Sequence, residues 1–301
     1  MTELSRTILA EYQVRKKKAQ KTRFIELICS HFPQAAVEED NGTPLSRNIV
    51  VGSPEQARII FTAHYDTCAV LPFPNLMTLS VPLYVLYMLA FAVIFAVLCF
   101  AVNFGMFRLL PLRWASFVAP LPCIGLLLLM LIGPANKHTA NDNTSGVVTL
   151  CELMAGMDEE TRAKCCFVFF DNEELGLLGS AFFRRRHRAA VQDKLLVNLD
   201  CVSDGDNIML MLSKRARAAY AERLPALFGQ SGDKTLLTGG SSLLVMSDHR
   251  KFPVHIGVAA FNRNPVFGLY AGRIHTSRDT VFDERNIEYL RQGLTRLAQS
   301  M

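Results

Sequence analysis

Charge is absent where a soluble protein would be expected to carry it: from Thr67 to Phe107 the sequence contains no Asp, Glu, Lys or Arg. The centre of that gap, Val81 to Val102, is almost wholly apolar, and about 20 such residues suffice for a membrane-spanning helix. Trp114 to Asn136 is a second uncharged segment, joined to the first by a short connector carrying Arg108 and Arg113. The pair predicts a transmembrane hairpin, with a buried soluble helix as the competing reading. Trp114, the only tryptophan, falls where an interfacial aromatic belongs.

Other absences narrow the class. Eight cysteines include no CxxC pair and follow no framework spacing, which argues against a zinc ribbon or a disulfide scaffold and for free thiols in a reducing compartment. Met1 to Lys21 has no apolar run, so no signal peptide is expected. The net charge of +5 is concentrated in Arg15-Lys16-Lys17-Lys18 and in Arg184-Arg185-Arg186 with Arg188. Those runs read as solvated helix faces or as contacts with anionic lipid headgroups. No aromatic residues interleave with the basic ones and no binding motif is present, so nucleic acid is not an expected partner.

What is present alternates strand and helix. Strands are predicted at Asn48 to Val51, Ala57 to Ala63, Cys165 to Phe170, Leu195 to Leu199, Ile208 to Leu212 and Val254 to Phe261. Helices are predicted through the first thirty or so residues and at Thr144 to Met157, Glu174 to Ala190, Arg215 to Phe228 and Arg285 to Ala298. The alternation implies an α/β domain with a central β-sheet flanked by helices. Residues 1–75 and 134–301 would form it, with residues 76–133 inserted as the hairpin.

Acidic residues and histidines cluster where apolar runs end. His64 and Asp66 are two apart, on one face of an extended chain, so one can bind a metal while the other orients the imidazole. Asp142 lies in Asn141-Asp142-Asn143-Thr144-Ser145-Gly146, where helix capping is the plainer explanation. Glu173-Glu174 close the apolar strand Phe167-Val168-Phe169-Phe170; one carboxylate can bind a metal and its neighbour reach an activated water, or both can serve a helix N-terminus. Asp200 ends Leu195-Leu196-Val197-Asn198-Leu199 and, at a strand end, wants a partner. His275 sits in a polar loop. His31, His138 and His187 read as surface residues and His255 as a strand residue with a local partner; His249 is either near the substrate or structural.

In order, His64-Tyr65-Asp66-Thr67, Asp142-Asn143-Thr144-Ser145-Gly146, Glu173-Glu174-Leu175-Gly176-Leu177-Leu178-Gly179-Ser180, Asn198-Leu199-Asp200 and Ile274-His275-Thr276 with Asp279-Thr280 resemble the dinuclear zinc aminopeptidase family that includes glutamate carboxypeptidases. Ser247-Asp248-His249 with Phe252 looks like a further family element. The resemblance implies a mixed sheet of the zinc exopeptidase type and two zinc ions bridged by Asp142. Glu174 and His275 would complete one site and His64 and Asp200 the other. Asp66 would orient His64, and Glu173 would be the general base and acid. Cobalt or manganese suits the same donors.

The implied function is a membrane-anchored exopeptidase acting on a peptide substrate, most simply an aminopeptidase, with carboxypeptidase action also open. A glutaminyl cyclase-like single-zinc acyltransferase and a catalytically silent membrane receptor or scaffold are the alternatives. The hairpin departs from the family's modest loop at that point. It puts the lipid bilayer beside the site and suggests a membrane-associated or hydrophobic substrate. Arg108 and Arg113 favour a cytoplasmic connector. Against this, the segment before His64 carries nine Lys or Arg residues whose export would be costly, so the catalytic domain is expected on the cytoplasmic side.

Overall fold

A computed structural model describes residues 1–42, 45–240 and 245–301. In chain order its elements are α1 (Glu3–Glu11), α2 (Lys18–His31), β1 (Ala35–Asp40), β2 (Ser46–Val51), β3 (Ile59–His64), β4 (Met77–Thr78), α3 (Val81–Leu109), α4 (Leu112–Val118), α5 (Leu121–Ile132), α6 (Gly146–Gly156), α7 (Glu159–Ala163) and β5 (Cys165–Phe170). They continue with α8 (Leu178–Arg186), α9 (Arg188–Val191), β6 (Leu195–Leu199), β7 (Asn207–Leu212), α10 (Lys214–Tyr220), α11 (Leu224–Phe228), β8 (Thr235–Gly240), β9 (His255–Asn264), β10 (Gly268–Ala271) and α12 (Glu284–Gln299).

Among the described residues the strands form one mixed sheet, in the order β1-β2-β5-β3-β6-β9-β10-β4, with β7 and β8 branching from β9. The central strands β5, β3, β6 and β9 run parallel. Every residue of β3, β5 and β6 is buried, as expected for parallel strands covered on both faces. Alternation then divides their side chains: Ile59, Phe61 and Ala63 join a core with α1, α2, α6 and α12, while Ile60, Cys166, Val168 and Phe170 pack with Phe183 of α8 and with Phe252. The register pairs His64 with Phe170, so β3 and β5 end level and release their following loops side by side.

Several boundaries differ from the sequence reading. The N-terminal helix is two helices. The helix expected from Glu174 begins at Leu178, because Glu173 to Leu177 turn through positive φ at Gly176 (104°) and Leu177 (61°). Arg215 to Phe228 divides into α10 and α11, the second starting beside Pro225. Strands β1, β4, β8 and β10 had no sequence signal, being half-exposed or very short.

The uncharged region folds as α3 followed by α4 and α5, with the break at Ala119-Pro120. By length and composition Val81–Leu109 and Leu112–Ile132 are long and apolar enough to cross a membrane. No residue of α3 is buried, and Ile94 and Phe100 are 68% and 72% exposed, so the buried-core alternative fails. The ends of the hairpin meet where Val70 N donates to Pro134 O and Asn136 N to Cys68 O.

Candidate active site and metal centre

The site is assembled at the carboxyl ends of three adjacent parallel strands, where α/β sheets present their loops to ligands. β3 ends in His64, β5 leads to Glu173 and Glu174, and β6 leads to Asp200. The fourth contributor, Asn141 to Ser145, enters α6. Asp142 there has a non-helical backbone (φ −108°, ψ 97°), and the Asp142–Asn143 peptide is cis. Asp142 does not cap the helix: Asn143 Oδ1 accepts from Gly146 N (3.1 Å) and Cys201 N (3.2 Å), while Asn143 Nδ2 donates to Leu199 O (2.9 Å). Asn143 therefore ties the helix start to the end of β6 and leaves the Asp142 carboxylate free to face the cavity.

Asp142 lies between the two imidazoles. Its Oδ1 is 3.4 Å from His64 Nε2 and its Oδ2 is 2.8 Å from His275 Nε2. Asp200 Oδ1 is 3.5 Å from His64 Nε2, and Glu174 Oε1 is 3.6 Å from His275 Nε2. Two groups able to hold a metal thus share Asp142: His64, Asp142 and Asp200, and a second of Asp142, Glu174, His275 and Cys68. His64, Glu173 and Glu174 form a third overlapping set within 4.8 Å. His64, Asp142, Glu173, Glu174, Asp200 and His275 are all brought together.

Asp66 lies beside His64 and also holds the glutamate turn. Its oxygens accept from Glu173 N (3.0 Å) and Glu174 N (3.2 Å), so it clamps the turn that carries both glutamates. The nearer partner of His64 Nδ1 is the Asp66 backbone carbonyl at 3.1 Å, with the carboxylate 3.6 Å away. With Nδ1 donating to that carbonyl, Nε2 faces Asp142 and Asp200.

Three positioning residues carried no decisive sequence signal. Asp279 accepts from Asn141 N (2.9 Å) and Asp142 N (3.0 Å), fixing the bend that aims Asp142. Arg15 is fully buried, donating to Tyr65 O and Thr144 Oγ1, so this member of the first basic run is an internal strut and not a solvated side chain. Lys21 pairs with Asp171 at 2.5 Å beneath the glutamate turn. Asp279 was visible only as part of the Asp279-Thr280 pair, and Cys68 not at all. His187 is no free surface group, since its ring joins Glu38 (2.9 Å) to Glu55 (2.6 Å). His31 and His138 are exposed. His255 is buried and bonded to Phe252 O, and its ring packs against that of buried His249 at 5.0 Å, tilted by 56°.

Electrostatics at the cluster show a shortage of positive charge. Burial would lower the pKa of His275, yet the carboxylates of Glu174 and Asp142 override it and raise it to about 10. Burial lifts the Glu174 carboxyl to about 7, and burial with Glu174, Asp248 and Asp200 nearby lifts Glu173 well above its ordinary value. Glu174 Oε1 is buried without a hydrogen-bond partner. An orphaned carboxylate oxygen facing an imidazole among further acids is what a divalent cation would satisfy, and mixed carboxylate, imidazole and thiol donors suit zinc.

The cluster forms one wall of a cavity of about 330 Å³, lined on the opposite side by Leu71, Phe73, Leu76, Met77, Tyr87 and Phe91. Carboxylate and imidazole side chains able to hold a metal, gathered at strand ends beside such a cavity, fit a zinc exopeptidase built on a mixed α/β sheet. The chain belongs to peptidase family M28, whose model matches residues 125–293, more than half its length. The matched region contains Asp142, Glu173, Glu174, Asp200 and His275.

Solved structures support the same fold. A Zn-dependent exopeptidase from Parabacteroides distasonis aligns with a TM-score of 0.62 at 14% identity, covering 99% of this chain and 98% of that one. A glutaminyl cyclase from Porphyromonas gingivalis aligns at 0.60 and 17% identity, covering 99% and 96%. The LapA aminopeptidase of Legionella pneumophila aligns at 0.55 and 13%, covering 98% and 69%. A search of curated proteins by sequence finds no match.

Proposed function

We propose that the chain is a membrane-anchored metallo-exopeptidase, in the first instance an aminopeptidase that binds two zinc ions. The observation that carries this reading is the placement of Asp142, with one oxygen toward His64 and the other toward His275. In this proposal Asp142 is shared, Glu174 and His275 hold one ion, and His64 and Asp200 hold the other. Zinc bound there supplies Lewis acidity toward water and the substrate carbonyl.

The protein's own groups do the rest. Asp66, by clamping the amides of residues 173 and 174, directs one carboxylate to the metal cluster and the other to the cavity. Glu173, whose carboxyl burial makes more basic than an ordinary one, takes the proton of the attacking water and delivers it to the leaving amine. The apolar far wall keeps bulk water from the reacting amide. Replacing Glu173 by Gln is expected to keep zinc while lowering kcat on leucine p-nitroanilide by about 10²–10⁴-fold, the usual share of a general base. Turnover near wild type would remove Glu173 from this role.

The catalytic unit is residues 1–75 and 134–301, and residues 76–133 form a hairpin that crosses the bilayer. The catalytic unit is cytoplasmic in this reading. All eight thiols are free. Lys16, which donates to Leu131 O, and Lys137 flank the hairpin ends on the catalytic side, together with Lys17 and Lys18. They outnumber Arg108 and Arg113 at the far connector.

The likeness to glutaminyl cyclase folds favours a second reading, cyclisation at a single zinc held by Asp142, Glu174 and His275. That reading leaves His64 and Asp200 without a metal to bind, so metal stoichiometry separates the two.

A further inference from the structure

The cavity at the cluster does not end at its apolar wall. A second cavity of about 270 Å³ lies between α3 and α5, lined by Phe73, Pro74, Tyr87, Ala90, Phe91, Ile94, Phe95, Leu98, Leu126 and Met130. Phe73, Tyr87, Phe91 and Met130 line both cavities, so the two adjoin, one at the candidate metal ligands and the other within the helix pair. Polar groups are confined to the first end. The Tyr87 hydroxyl is already used, donating to Pro74 O at 3.0 Å, and Phe73 and Phe91 pack 5.0 Å apart along the passage. No charged side chain lines the second cavity.

We propose that the two adjoining cavities act as one slot that binds a long hydrocarbon chain of the substrate, which makes the substrate an amide-linked lipid bearing a free N-terminal residue. The inference rests on the exopeptidase reading for the head of the substrate and on the slot for its tail. A peptide's polar backbone would be desolvated in the slot without partners, whereas a hydrocarbon loses nothing there. Each methylene brought into the slot from water strengthens binding about fourfold. The slot opens between helices whose outer faces are apolar and exposed, Val93 and Val97 among them, so a tail can enter from lipid while its amide reaches the cluster. For an aminopeptidase the tail lies on the leaving-group side. Water adds its oxygen to the carbonyl carbon as the C–N bond breaks, the amine gains a proton, and an amino acid and a long-chain amine are released.

The test uses the full chain, zinc-loaded in lipid nanodiscs, with leucine ethylamide and leucine decylamide as substrates and a leucine decylamide carrying a terminal diazirine as photoprobe. The decylamide is expected to be the better substrate by kcat/KM. Ala90→Trp, which fills the slot, is expected to lower the decylamide-to-ethylamide ratio about fifteenfold, the equivalent of expelling two methylenes. Leu126→Trp on the facing helix provides the same reading if the first variant misfolds. The photoprobe is expected to label residues 87–98 or 126–130 of the unmodified chain. Cleavage of the ethylamide with no preference for the decylamide and labelling elsewhere would overturn the slot. Labelling in the slot without cleavage of either amide would uphold the slot and overturn the exopeptidase reading.

Discussion

Asp142 acquires its orientation from residues that never face the cavity. Asp279 holds its backbone amide, Asn143 performs the helix capping that the sequence attributes to Asp142, and Arg15 braces Thr144 two residues on. A different residue-scale property belongs to His249. Burial, with His255 against it, depresses its pKa from 6.5 to about 3. An unfolded imidazole takes up its proton near 6.5, so between those values the unfolded state binds more protons and stability falls as pH is lowered, by roughly 1.4 kcal/mol per pH unit. His249→Leu is therefore expected to lose less thermal stability than wild type between pH 7 and pH 5. Parallel losses in the two proteins would show that His249 does not carry this sensitivity. Much of the candidate site was legible because His64, Glu173, Glu174 and Asp200 stand where apolar strands stop. Asp279 and Arg15 were not, since a carboxylate in a polar loop and an arginine in a basic run look like solvated groups until the fold encloses them.

The start of α6 is a tightly constrained element junction in the site. A Cβ at Gly146 would meet the Leu199 carbonyl oxygen, which is backbone and cannot swing aside, and the Asn143 side-chain oxygen. Gly146→Ala is expected to destabilise the protein by about 1–3 kcal/mol, the usual cost of overpacking, and to reduce zinc content by displacing Asn143 and with it Asp142. An unchanged melting temperature and full zinc occupancy would contradict that coupling. Elements with continuous burial, β3, β5 and β6, were readable from their apolar runs. Strand β1, with Glu38, Glu39 and Asp40 among its six residues, and β8, ending in two glycines, are held by pairing to β2 and β7, an influence outside their own sequences. Likewise Pro120 interrupts the second apolar segment at a place hydropathy alone does not mark.

At the scale of the whole molecule, the helical hairpin and the carboxylate–histidine cluster are one construction. Leu71 N donates to His275 O and Asn136 Nδ2 to Thr276 O, so both ends of the insertion are bonded to the loop that presents His275. The absence of charge made the hairpin legible, whereas its attachment to the His275 loop needs the folded chain. In the proposed orientation Cys29, partly exposed on α2, is expected to resist a membrane-impermeant maleimide in intact cells and to react after permeabilisation; labelling before permeabilisation would reverse the topology. The most direct test of the account is elemental analysis of the purified full-length chain and two variants. Two zinc ions per wild-type chain, one in His64→Ala and loss of both in Asp142→Ala are the expected result. A single zinc in the wild type, retained by His64→Ala, would contradict the shared carboxylate and the dinuclear exopeptidase built on it.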